Sequence, residues 1–279
     1  MAGLVLEGGG VRGIYTAGVL DVFMEHGLTF DGVIGVSAGA IHGCSLASNQ
    51  NGRSIRYYKK YCKNPRFMSM KSWVKTGDVV EVEFCYHELP EKLDPYDYDA
   101  FNKNGTPFYV VCTNIESGEA EYIQIKDMKG EIDYLRASAS LPYFSRIVEI
   151  GGKKYLDGGC ADSIPVKAFQ KMGYKKNVVV LTRHADYRKK KEQTALAKLV
   201  YRKYPKFVQT LLSRHTNYNK TVEEIVEMEK KGEIFVIRPE RSLDIGRLEG
   251  DPEKIQRVYD TGRADAEKYM SGLLEWLSK

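Results

Sequence analysis

A short apolar run, Gly3–Glu7 (GLVLE), opens the chain with the character of a buried strand. Four glycines stand within the next six residues, and from Tyr15 to His26 apolar side chains recur at helical spacing until Gly27 stops them. A second apolar run, Phe30–Val36 (FDGVIGV), leads into SAGAIHGCSLAS, where small residues recur at the same spacing. Strand, glycine turn and helix therefore occur twice in succession. Further strands are predicted at Phe108–Cys112, Glu121–Ile125, Lys154–Leu156, Asn177–Thr182 and Ile234–Ile237, with helices between them. A last helix is predicted from Pro252, capped by Asp251, to Leu277. This alternation predicts an α/β fold, a mostly parallel or mixed sheet with helices on both faces. Residues Pro65–Gly105 carry aromatics and acids without a clear period and read as a cap or lid over the sheet edge. No repeat, low-complexity linker or domain boundary interrupts the pattern, so a single domain over 1–279 is expected.

Composition agrees with a globular α/β protein: 279 residues, 43% hydrophobic and 28% charged. The formal charge of +5 is unevenly placed, because Arg183 to Lys206 holds nine Lys and Arg against Asp186 and Glu192. That segment carries +7 and the remainder −2, so one surface is expected to be basic. A solvated helix face or attraction to an anionic surface would both account for it. Nucleic acid is not expected as the partner, since RNP-type aromatics, a C₂H₂ pattern and a recognition helix are all missing. The pattern also lacks a run of roughly 18 apolar residues and the features of a secretory signal, so a cytoplasmic address is expected, with peripheral contact at the inner membrane surface through 183–206. Five scattered cysteines without CxxC spacing argue for reduced thiols rather than disulfides or structural zinc. No carboxylate cluster resembles a calcium loop, and no metal is expected.

Three motifs carry candidate chemistry. Gly8-Gly9-Gly10-Val11-Arg12-Gly13 satisfies GxGxxG between a strand and a helix, the dinucleotide-binding pattern. That reading wants an acid at the carboxyl end of the second strand, whereas Asp31 precedes that strand; a Walker loop fails because Ile14 and Tyr15 follow Gly13. The second strand ends in Gly35-Val36-Ser37-Ala38-Gly39, a GxSxG nucleophile elbow in the strand-turn-helix context that the motif requires. A serine that merely caps the following helix is the plainer alternative. Both glycine turns follow neighbouring strands and can meet at one sheet edge. Main-chain N–H groups around Gly9 and Gly10, with Arg12 and the helix dipole, would then form an oxyanion hole for a reaction at Ser37. The third motif, KKYLDGG, delivers Asp157 into a turn at Gly158 and Gly159. Asp157 is one candidate base; the other is a histidine in the order Ser, Asp, His, for which His184 and His215 are available. His184 ends a strand but stands beside Arg183 in the basic segment. His26 and His42 read as structural, and His87 falls in the stretch without period. Cys160, beside the Asp-Gly-Gly turn, reads as a small buried filler or as a redox-sensitive thiol.

Taken together, GGGVRG, GVSAG and, after RASASLPYF, DGG resemble the patatin-like phospholipase family in its bacterial branch. The resemblance implies a three-layer patatin-like fold and a serine acyl hydrolase acting on acyl esters of lipids without metal or organic cofactor. It implies Ser37 as nucleophile and Asp157 as base in a dyad without histidine. It also implies Gly8, Gly9, Gly10, Arg12 and Gly13 as the oxyanion-hole loop, Gly35 and Gly39 as the elbow, and Gly158 and Gly159 as the aspartate turn. CTNIESGE (Cys112 to Glu119) and LPYF (Leu141 to Phe144) are further points of similarity, and the resemblance spans about residues 3 to 183. One departure is Ser163-Ile164-Pro165, where the family often has Asn-x-Pro, a change that bears on substrate fit more than on chemistry. From His184 onward the chain is similar to extensions of bacterial members, with no function implied. A nucleotide-binding protein using GxGxxG, and a non-catalytic membrane-associated regulatory protein of the same fold, are the rival readings.

Overall fold

The computed structural model describes every residue except 192 and 193, so Glu192, counted above in the basic segment, lies outside the described residues. Strand β1 (Ala2–Leu6) passes through one tight helical turn, Gly10–Gly13, into helix α1 (Ile14–Glu25). Gly27, at φ +64°, ends the helix, and the Leu28 N–H turns back to the Phe23 carbonyl at 2.8 Å. Strand β2 (Gly32–Val36) leads through Ser37 into α2 (Ala38–Ala47), so both expected strand-turn-helix units are present.

Six more strands complete one mixed sheet: β3 (Phe108–Asn114), β4 (Ala120–Ile125), β5 (Val148–Ile150), β6 (Lys153–Asp157), β7 (Lys176–Val180) and β8 (Ile234–Ile237). Their order is β5-β6-β3-β2-β1-β7-β8, with β4 also on β3. The β3-β2-β1-β7-β8 stretch is parallel, whereas β4 and β6 both run antiparallel to β3. The sequence pattern passes over β5, a three-residue strand joined to β6 by Gly151-Gly152, both at positive φ, as a tight hairpin turn requires.

Successive strand residues point to opposite faces, so Leu4 and Leu6 enter one core and Val5 the other. The first core packs against α1, α2 and α10 (Pro252–Ser278), the last of which begins at the expected Asp251 cap. The second packs against α7 (Val166–Lys171) and α9 (Pro205–Lys230) through Phe169, Val222 and Ile225. This is a three-layer α/β architecture. The region without period, 65–105, folds as α4 (Met70–Thr76), a wide helix Phe84–Leu93 and α5 (Tyr98–Asn104). Pro90, which has no N–H to give, lies within the wide helix, whose end bonds Asp94 N–H to the Leu89 carbonyl. Three more helices, α3 (Arg53–Tyr61), α6 (Ile132–Ser138) and α8 (Thr194–Val200), and a short helical turn at Gly158–Cys160 complete the described elements.

Candidate active site

The site forms where two strands meet head-on. Along one edge of β3, β2 pairs as far as Val36 opposite Val111, and β6 arrives from the other direction to end with Asp157 opposite Cys112. The other edge of β3 is taken by β4 through Thr113, so β2 and β6 must share the remaining one. The carboxyl ends of β2 and β6 consequently face each other. Ser37 leaves β2 at φ 55°, ψ −122°, a conformation that L-residues rarely adopt and that projects a side chain from a sharp strand-to-helix turn.

Ser37 Oγ donates to Asp157 Oδ2 at 2.7 Å, and Asp157 Oδ1 accepts the Gly159 N–H at 2.8 Å. Both side chains are buried, Asp157 to 2% exposure. Burial raises the Asp157 carboxyl above the usual carboxylate range, against the opposing pull of Arg214, the Ser37 hydroxyl and the Gly159 amide. Two serines that sequence reading quoted only within RASASLPYF hold the pair in place. Ser138 Oγ accepts the Ser37 N–H at 2.9 Å and donates to the Val111 carbonyl at 2.6 Å, while the Ser140 carbonyl accepts the Asp157 N–H at 2.8 Å.

The first glycine turn lies directly against the elbow. A Cβ on Gly8 would stand 2.9 Å from both Ser37 Cβ and the Val36 carbonyl oxygen, so only glycine permits this approach. Among the described residues, no turn or loop hydrogen bond takes the N–H of Gly8, Gly9 or Gly10. Gly8, Gly9, Gly10 and Arg12 line a polar cavity with Ser37 and Asp157. Gly13 does not line it; it is buried against Ala38 and His42. Gly35 and Gly39 pack the elbow, and Gly158 sits tight under the Val111 carbonyl.

Two cavities open from Ser37. One is apolar, encloses about 1040 Å³ with its mouth, and is walled by Ile41, Tyr57, Phe67, Leu89, Met128 and Leu135. The stretch 65–105, expected as a lid on the sheet edge, supplies much of this wall. The other cavity is polar and cationic, with Arg12, Arg183, Lys189, Arg214 and Arg247 around Glu7 and Asp157. Burial and the charges of Arg183 and Arg247 lower the Arg12 guanidinium to about 10, partly offset by Glu7.

The expectation of one basic surface over 183–206 therefore changes in part: Arg183 and Lys189 line the cavity beside Ser37. Arg183 stacks on Tyr187, its guanidinium 4.1 Å from the ring centre, and the Lys189 ammonium lies 4.2 Å from that of Tyr218. No histidine joins Ser37 and Asp157 among the described residues. His184 packs against Tyr187, His215 bonds Thr216, His42 bonds Ser54 and His26 bonds Glu267. Cys160 packs with Ile115, Leu156 and Phe207 in a small core of its own. Arg214, Tyr218 and Arg247 were not singled out by any sequence motif, because Arg214 and Tyr218, one turn apart on α9, and Arg247, ahead of α10, lie far along the chain from the motifs and only folding brings them to the site.

A family model described as patatin-like phospholipase matches residues 4–169, a span that contains the first glycine turn, Ser37 and Asp157. The chain belongs to the patatin-like phospholipase family. Its patatin-like part is followed by a match over residues 204–278 to a domain of unknown function, which takes in Arg214, Tyr218 and Arg247. Among relatives, the uncharacterized protein YjjU of Escherichia coli K12 is 33% identical over 184 residues, covering 64% of this chain and 51% of that protein. Lysophospholipase NTE1 of Debaryomyces hansenii is 28% identical over 183 residues, 64% of this chain and 11% of its own length. This patatin-like chain thus matches about half, or much less, of the length of these relatives. The crystal structure of VipD from Legionella pneumophila superposes over 97% of this chain and 67% of its own, at 14% identity and a TM-score of 0.48.

Proposed function

We propose that this protein is a serine acyl hydrolase acting on acyl esters of lipids through Ser37 and Asp157. The observation that carries the reading is the 2.7 Å hydrogen bond from Ser37 Oγ to Asp157 Oδ2, within the 2.6–3.2 Å reach of a general base and at the junction of the two cavities. An acyl chain fills the apolar cavity and brings its ester carbonyl to Ser37. Ser37 Oγ attacks the carbonyl carbon as its proton passes to Asp157. The amides of the Gly8–Gly10 turn, with the positive N-terminus of α2, hold the oxyanion. Collapse of the tetrahedral intermediate breaks the bond to the alcohol, which leaves with the proton from Asp157. Water then attacks the acyl-serine, giving its proton to Asp157, and Ser37 recovers a proton as the carboxylic acid departs. Membership of the family supports a lipid hydrolase, and the name of its relative, lysophospholipase NTE1, agrees with it.

The same reading includes docking on a lipid surface. Helix α8 exposes Leu196, Leu199 and Val200 beside Lys198, Arg202 and Lys203, and α4 exposes Met70, Trp73 and Val74 beside Lys71 and Lys75. The segment 141–144 joins these features to the site: Leu141 lines both cavities, Tyr143 packs on Tyr201 after α8, and Phe144 packs on Trp73. Among the described residues no helix is long and apolar enough to cross a membrane.

The deciding experiment is labelling by a fluorophosphonate probe alongside hydrolysis of p-nitrophenyl esters. Wild type is expected to label and turn over, and Ser37→Ala to do neither while remaining folded. Turnover that survives in rigorously purified Ser37→Ala would overturn the assignment.

A further inference from the structure

Helix α9 reaches the site from far along the chain and holds both of its turns. Arg214 and Tyr218, one helical turn apart and so on the same face, carry these contacts. Tyr218 donates its hydroxyl to Glu7 Oε1 at 2.7 Å, and Glu7 Oε2 accepts the Thr182 N–H at 2.6 Å, which fixes the chain where it enters the first glycine turn. Arg214 Nε donates to the Gly159 carbonyl at 2.6 Å, and the Gly159 N–H is the donor on Asp157 Oδ1 at 2.8 Å. Ser163 Oγ donates to the same carbonyl at 2.8 Å. Gly159 is therefore clamped between a guanidinium and the carboxylate, and the place of Asp157 Oδ1 depends on where α9 lies.

Placement and charge act together here. A base must be ionised before the reaction, and a buried carboxylate takes up a proton instead unless cations or hydrogen-bond donors face it. The groups around Asp157 come from every neighbouring element. Cys112 lies opposite on β3, but burial pushes its thiol well up, so it adds no charge, and Cys160 turns away into the small core with Leu156. Glu7 and Arg12 share the cavity from the first glycine turn, and Arg183, Tyr187 and Lys189 from the chain after β7. Arg247 closes it from the chain before α10, while α9 contributes Arg214 and Tyr218. Burial pushes the Asp157 carboxyl up, and the largest pull in the other direction is that of Arg214, ahead of the Ser37 hydroxyl, the Gly159 amide and Lys189. Lys189 itself is tied to α9, since Asn219 Oδ1 accepts its N–H at 2.8 Å and Asn219 Nδ2 donates to its carbonyl at 3.1 Å. We propose that Arg214 is a positioning residue of the reaction: it sets the Asp157 turn against Ser37 and keeps the carboxylate in its charged, proton-accepting form. The inference rests on the hydrolase reading above. It gives α9, within the span 204–278 matched by a domain of unknown function, a part in the chemistry begun by the patatin-like part.

The test follows kcat/KM for a short soluble ester against pH in wild type, Arg214→Met, Arg214→Gln and Arg214→Lys. Arg214 is half-buried on the wall of an open cavity, so each variant should fold. Arg214→Met removes the charge and the hydrogen bond together and should move the acid limb to higher pH. Its rate at mildly acid pH, taken relative to its own alkaline plateau, should fall about 10-fold below the wild-type ratio. Arg214→Gln keeps a donor for the Gly159 carbonyl without the charge and should show the same displaced limb beneath a higher plateau. Arg214→Lys keeps the charge and should return the limb to its wild-type position. A rate lowered by one factor at every pH, with the limb unmoved, marks a structural contact only and overturns the proposal, as does Arg214→Lys behaving like Arg214→Gln. A second readout needs no turnover. In Ser37→Ala the Asp157 carboxyl carbon can be followed by NMR, assigned by the loss of its signal in Asp157→Asn, and should titrate at higher pH once Arg214→Gln is added. An unmoved titration overturns the proposal even if esters are hydrolysed. A moved titration, in a protein whose wild type neither hydrolyses esters nor reacts with a fluorophosphonate, supports the hold of Arg214 on Asp157 and removes the hydrolase reading alone.

Discussion

Val36 and Asp157 lie opposite adjacent residues of a single strand, Val111 and Cys112 of β3, at the ends of β-strands that run toward each other. That arrangement carries Ser37 and Asp157, 120 residues apart in sequence, to hydrogen-bond distance. It also puts the pair on the sheet rather than on a mobile loop, where small changes in geometry are resisted by main-chain pairing.

A dyad and a triad respond differently to substitution. With Asp157 as the base, Asp157→Asn should be nearly as inactive as Ser37→Ala towards a small soluble ester, since an amide cannot accept the serine proton. His184→Ala and His215→Ala should each retain most of the activity, as neither imidazole bonds Ser37 or Asp157. Steady-state kinetics on the four folded variants decides the matter; an inactive His184→Ala would restore the triad.

Burial makes the folded protein hold the Asp157 proton more tightly than the unfolded chain does, raising the pKa from 3.8. Between the unfolded and folded values the folded state binds more protons, so stability falls as pH rises through that window. Asp157→Asn removes the ionisation and should melt above wild type at about pH 7, with the gap closing as pH falls below the unfolded value. In the same titration the wild-type rate should be lost on acidification at a pH above the ordinary carboxylate range, because the base must be ionised. A melting difference that is constant from acid to neutral pH would contradict the buried-charge account.

Gly8→Ala tests whether the glycine turn sets the geometry of the reaction. Its Cβ would stand 2.9 Å from Ser37 Cβ and from a main-chain oxygen, so the turn must shift. A displacement near 1 Å commonly lowers rates by about 10²-fold, and a loss of at least that size is expected with the circular dichroism spectrum unchanged. Full activity would show that the turn is structural only.

Docking through α8 and α4 should depend on both apolar and charged side chains. Leu199 and Val74 are 70% and 78% exposed, so Leu199→Ser and Val74→Ser should leave folding intact. Each is expected to reduce co-sedimentation with vesicles rich in phosphatidylglycerol. Added salt should weaken binding of the wild type, since each nearby cation contributes about 1 kcal/mol at an anionic surface. Binding indifferent to salt, lipid charge and these substitutions would leave the face as ordinary solvated surface.

The sequence by itself determined the two opening strand-turn-helix units, the ends of the last helix and the elbow at Ser37. Those features are local: periodicity reports which face of a segment is buried, and a sharp turn leaves glycines at fixed offsets. It also singled out Asp157 by its turn, but left the choice between Asp157 and a histidine open, with only the family resemblance favouring the aspartate. Tertiary structure decided the rest. Residues 65–105 show no period because their apolar side chains face a cavity from several short helices rather than one sheet. The basic segment could not be divided by counting charges, because whether Arg183 turns inward depends on Tyr187 and on the first glycine loop beside it. Arg12, Arg183 and Arg247 share a cavity only because β1 lies beside β7 and the chain before α10 returns over the same sheet edge, bonding Val11 N–H to the Arg247 carbonyl. Period and composition record that a residue is buried or charged; what it is buried against, and which charges gather with it, is set by the order of the strands.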